Sequence, residues 1–181
     1  GKAYGADTAE KLACQFGTSL TVAPENKGKL QGIINGMHEL SADSKLSWFA
    51  VVDQDGDHFA NELANLLRAG LHISRTAASD RVLVIGRRAS RHRPMGWLRG
   101  ELEELADRVL LDALHYHATT SGRPLCLEFS AALEEFPDFH SGYKLFSRTT
   151  ADAVTTAVPQ SLGLPDSCYY RHAVEAVLVV E

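Results

Sequence analysis

Apolar and polar positions along the chain fall into blocks that switch between a helical and a strand-like period. Residues 7–16 (DTAEKLACQF) place Ala9, Leu12, Ala13 and Phe16 on one helical face, with Asp7 or Thr8 to cap the start and Gly17 to end it. Residues 18–23 (TSLTVA) predict a strand, and residues 24–29 (PENKGK) a loop with Pro, Asn and Gly as breakers. Residues 30–40 predict a helix, weakened by Gly32 and Gly36. The unbroken run at 47–52 (SWFAVV) has the pattern of a strand buried on both faces, and it stops at Asp53. Residues 58–69 predict a helix with Phe59, Leu63, Leu66 and Leu67 inward, and residues 81–85 (RVLVI) a second buried strand ending at Gly86. The longest helix is predicted over 97–118, where Leu98, Leu102, Leu105, Val109, Ala113 and Tyr116 form the inward stripe. Glu101, Glu103, Glu104, Asp107 and Arg108 lie largely off that stripe, and the glutamates read as a solvated face. Residues 141–147 predict a strand and 149–158 a helix. Residues 123–136 fit no single element, and the tail from Tyr169 to Glu181 is helical or mixed.

Helices that alternate with short buried strands predict an α/β domain, a mostly parallel sheet with helices on both faces. With no repeat and no linker, residues 1–181 read as a single domain. In such sheets ligands bind beyond the carboxyl ends of the strands. Here those ends carry DQDGD after one strand and GRR after another, so acidic and basic groups are expected on one rim.

Composition narrows the classes. With 45% hydrophobic and 23% charged residues the chain has an ordinary globular mix. Eighteen basic against 23 acidic residues give a formal charge of -5, which disfavours a nucleic-acid partner. No apolar run approaches the roughly 20 residues that span a bilayer. Cys14, Cys126 and Cys168 are too far apart in sequence to read as a metal pair or a disulfide framework, so a reducing, cytoplasmic setting is expected.

Asp53, Asp55 and Asp57 alternate directly after a buried strand. Three carboxylates so close repel unless a cation or proton intervenes, and their oxygens suit Mg²⁺ or Mn²⁺. An EF-hand calcium loop fails, because its sixth and twelfth positions are His58 and Ala64. Two chemistries stay open. One is a phosphatase of the haloacid dehalogenase type with Asp53 as nucleophile. The other is the DxD motif of a nucleotide-sugar glycosyltransferase. A non-catalytic domain that binds a nucleotide sugar is the alternative outside enzymes.

Five segments in order, DTAEKLACQFG, APENKGKLQGIING, WFAVVDQDGDH, VLVIGRR and DFHSGYKLFSR, resemble glycosyltransferase family 2 with a GT-A fold. The branch they resemble contains dolichyl-phosphate mannose synthase and bacterial polyprenyl-phosphate sugar transferases. The resemblance runs from about Asp7 to Arg148. It implies a Rossmann-like sheet and a metal-dependent, inverting transfer from a nucleotide-diphosphate sugar to a polyprenyl phosphate or a saccharide. It implies Asp53 and Asp55 at the metal and donor, with Asp57 where relatives often carry Gln, and Lys29 and Arg88 near the donor's nucleotide and phosphates. Arg87, Arg91, Arg93, His140, Ser141 and Lys144 are implied on the acceptor or phosphate side, and Asp138 as the catalytic acid-base candidate. Relatives begin with strands that hold the base and ribose, so the chain is expected to be an N-terminally truncated part of a longer enzyme, inactive by itself. The full-length enzyme is expected to associate peripherally with the inner face of the membrane.

Overall fold

A computed structural model describes residues 5–25, 28–53, 58–90, 93, 96–122 and 136–161. Five helices and three strands are defined: α1 (Ala6–Phe16), α2 (Lys29–Ser41), β1 (Trp48–Val51), α3 (Leu63–Thr76), β2 (Leu83–Ile85), α4 (Trp97–Thr120), β3 (Lys144–Ser147) and α5 (Arg148–Ser161). A single 3₁₀ turn, Ala60–Glu62, leads into α3.

The sheet corrects the expected architecture. Its order is β1-β3-β2, and both pairings are antiparallel: Phe49 faces Phe146 in one, and Leu83 faces Phe146 in the other. No mostly parallel, Rossmann-like sheet exists among the described residues. The helix–strand alternation gives β1 and β2 the same direction, but β3 fills the slot between them and runs against both. Alternation predicts parallel neighbours only when consecutive strands sit side by side. The strand expected at 18–23 is also absent. That segment is exposed and joins no ladder, though Thr21 donates a hydrogen bond to Glu39 of α2.

Three apolar clusters hold the sheet. Leu30, Ile34 and Met37 of α2 meet Phe49, Phe146, Ala151 and Val154, so α2 and α5 share one face. On the other face, Leu66, Ala69 and Ile73 of α3 cover Val82, Val84, Leu145 and Trp48. Leu111 and Leu114 of α4 close over Phe136 and Phe139 beside Leu83 and Ile85. Phe146, in the central strand, is completely buried. Arg148 fastens the far end: its guanidinium donates to the carbonyls of Leu46, Ser41 and Asp43 and lies over the Phe49 ring, closing the turn between α2 and β1.

Three helices differ from their sequence pattern. No residue of α1 is buried, and Leu12 and Phe16 of its apolar face are exposed. The turn before α3 leaves Phe59 exposed, and the buried side of α3 is rotated toward Leu66 and Gly70. In α4 the expected inward stripe of Leu98, Leu102, Leu105, Val109 and Tyr116 faces outward, and Glu103 and Asp107 are buried. The inward face of α4 is the run Gly100, Glu103, Asp107, Leu111 and Leu114, equally well spaced for a helix.

Glycine substitutions separate close packing from propensity. A Cβ on Gly70 would lie 2.8 Å from the Trp48 ring, whereas one on Gly36 would meet open space. Alanine in a helix interior is worth about 0.5–1 kcal/mol over glycine. Gly36→Ala should therefore raise the urea midpoint and Gly70→Ala should lower it. The same sign for both would contradict the α3–Trp48 contact.

Candidate functional site

The antiparallel β3 places its beginning beside the carboxyl ends of β1 and β2, since Lys144 pairs with Val51 and with Ile85. Three segments distant in sequence thus share one rim: Val52–Asp53 after β1, residues 86–90 after β2, and residues 138–143 before β3. Gly86 fixes the middle one by donating its N–H to the Tyr143 carbonyl at 2.8 Å.

Asp53 is partly exposed. Its carboxylate pairs with the Lys29 ammonium at the first position of α2. It also rests on Gly142, where a Cβ would crowd the carboxylate. The glycine of the SGYK segment thus leaves room for a carboxylate from the acidic motif about ninety residues earlier. Asp55 and Asp57 lie outside the described residues, as does Arg91. Among the described residues no group of three His, Cys, Asp or Glu side chains gathers as a metal site. The donor chemistry of Asp53 fits a hard divalent ion: a half-open carboxylate at a strand end, followed in the chain by two more.

Arg88 and Asp138 form the other half. The Arg88 backbone N–H donates to Asp138 Oδ2 at 3.0 Å. Its Nε and Nη2 reach Oδ2 and Oδ1 at 2.9 and 2.7 Å. Nη1 donates to Glu103 Oε2 at 2.8 Å, and Glu103 also accepts from Arg99 at 3.1 Å. Burial alone would pull the Arg88 pKa down. The hydrogen bonds and charge of Asp138, then those of Glu103, outweigh this and raise it. Arg88 is therefore engaged by two carboxylates, and Asp138, fully buried, is taken up by Arg88. Asp138 is thus buried with its carboxylate held by the Arg88 guanidinium. Arg87 and Arg93 are exposed.

His140 Nδ1 lies 2.7 Å from Asp107 Oδ1, both nearly or fully buried. Ser141 is buried, donates its backbone N–H to the Asp138 carbonyl and accepts from the Tyr143 N–H. Lys144 is buried at the head of β3. These three line the inside of the rim and support it from below. Glu103 and Asp107, which the apolar pattern set aside, are the acids that hold Arg88 and His140. Their i, i+4 spacing in line with Leu111 and Leu114 was the available signal. No family model, curated protein or solved structure matches the chain.

Two outcomes follow for stability. Gly142→Ala should cost about 1–3 kcal/mol as an overpacked position, and clearly less in an Asp53→Ala background, where the clashing carboxylate is gone. Additive costs in that double-mutant cycle would contradict the contact. Burial, then the charge of Glu62, raises the Tyr143 pKa. The unfolded phenol ionises near pH 10 and the folded one higher. Stability should therefore be full below about pH 10 and fall as the pH rises through the folded value. Tyr143→Phe should flatten that alkaline limb in denaturant titrations.

Proposed function

We propose that this domain works as a metal-dependent, inverting glycosyltransferase, with a nucleotide-diphosphate sugar as donor and a polyprenyl phosphate as acceptor. The observation that supports this reading is the meeting on one rim of Asp53, which opens the D-x-D-x-D motif, the GRR segment and the SGYK segment, with Asp53 seated on Gly142. Asp53, Asp55 and Asp57 would hold Mg²⁺ or Mn²⁺, which supplies charge neutralisation at a leaving diphosphate. Lys29 orients Asp53 and adds positive charge at the donor side.

The acceptor side follows from Arg88. With its guanidinium between Asp138 and Glu103, its charge is largely compensated, and Lys29 and Arg87 are exposed cations on this rim, with Arg93 exposed further along the same segment. A hydroxyl acceptor needs a base to take its proton. Asp138 is occupied by Arg88, so an acceptor that is already anionic suits the rim better. The Arg88–Asp138 pair then sets the shape of both loops. Peripheral membrane attachment would suit such an acceptor, and no described helix is long and apolar enough to cross a membrane.

Isothermal titration with UDP-, GDP- and dTDP-sugars tests the donor site, each with and without Mn²⁺. One nucleotide should bind only with the metal, and Asp53→Asn should lose that binding while keeping its melting temperature. Arg87→Ala with Arg93→Ala should weaken a short-chain polyprenyl phosphate by about tenfold or more, since charge-assisted bonds are worth about 1.5–3 kcal/mol. Metal-independent donor binding, unchanged in Asp53→Asn, would remove the assignment.

A further inference from the structure

We infer that the outward face of α4 is the interface of a two-fold symmetric dimer, formed by antiparallel pairing with α4 of a second copy. Leu98, Leu102, Leu105 and Val109 are all more than half exposed. They are spaced four, three and four residues apart, the repeat of an a/d seam. The opposite face of the helix is already committed to the domain through Leu111 and Leu114. At 24 residues α4 is about 36 Å long, so the seam is a straight, continuous stripe. An exposed apolar patch of this kind marks an interaction site.

Charge selects the partner and its direction. In an antiparallel pair that sets Leu102 against Leu105 of the other copy, and Leu98 against Val109, the exposed Glu101 falls beside Arg108 of the partner helix. The two-fold axis makes this contact twice, as a self-complementary interface requires. A parallel pair would set Glu101 beside Ala106 and gain nothing. A lipid surface is disfavoured, because Glu101 and Glu104 flank the seam and Asp112 stands at its next position.

Sedimentation equilibrium of the chain, with circular dichroism melting as the check on folding, tests the interface. The wild type should be a dimer and Leu105→Glu a folded monomer. Glu101→Arg should weaken the dimer roughly tenfold, since both rim pairs become repulsive. Arg108→Glu added to it should restore the dimer. A monomeric wild type overturns the inference, as does a dimer indifferent to Leu105→Glu, which would point to the open edge of β1. A monomer that floats with anionic phospholipid vesicles and loses them on Leu105→Glu would assign the face to a membrane instead. None of these outcomes depends on donor or acceptor binding, so they leave the proposed reaction to its own test.

Discussion

The ion pair between Arg88 and Asp138 is the interaction on which the rim depends. It joins the loop after β2 to the loop before β3, and through Glu103 it reaches α4. The Ile85–Lys144 pairing, the Gly86–Tyr143 hydrogen bond and the cluster of Leu111, Leu114, Phe136 and Phe139 also tie that junction. Removing one partner of a buried pair costs about 3–5 kcal/mol, because the other charge stays behind without compensation. That is a large part of the 5–15 kcal/mol by which domains are stable. The pair therefore contributes definition more than net stability: few arrangements satisfy three bonds from Arg88 and two carboxylates at once.

The same network explains why α4 is turned as it is. A helix with apolar residues on two sides can present either to the sheet. Leu98, Leu102, Leu105 and Val109 offer more apolar area than Leu111 and Leu114 alone. However, only the second orientation brings Glu103 to Arg88 and Asp107 to His140. Burying Arg88 and His140 without those acids would carry a desolvation penalty of several kcal/mol each. Electrostatics thus outweighs a modest gain in apolar burial, and the leucines are left for another surface.

Much of the local structure was legible from the residues. The runs WFAV, LVI and KLFS lie where their pattern predicts, as do the spans of α4 and α5, whereas α3 begins at Leu63 and not at the predicted His58. A rim shared by the segment opening at Asp53 and the GRR segment was expected from strand ends; the SGYK segment reaches it only because β3 runs against both strands. The sheet topology was not legible, because β3 enters between β1 and β2 from almost sixty residues beyond β2, and no local signal encodes that slot. The segment TSLTVA has strand composition without a strand, since β-propensity reflects a place on a pleated surface and not the backbone alone. The buried face of α4 was misjudged because hydrophobicity was counted and pairing was not. Glu103 and Asp107 are buried through partners that are 15 residues before one and 33 residues beyond the other.

The central place of β3 also sets an order in time. Among the described residues β1 and β2 pair only with β3 and not with each other, so the hydrogen bonds of this sheet form only once residues 144–147 are available. Arg148, the next residue, closes the turn at Ser41–Leu46, more than a hundred positions earlier. On a ribosome, α2, β1, α3, β2 and α4 would all emerge before the strand that joins them. Until then the apolar faces of β1 and β2 have only helices to shield them. Such long-range closure slows folding and prolongs exposure of strand edges. A premature stop upstream of Lys144 would leave β1 and β2 without the strand that joins them.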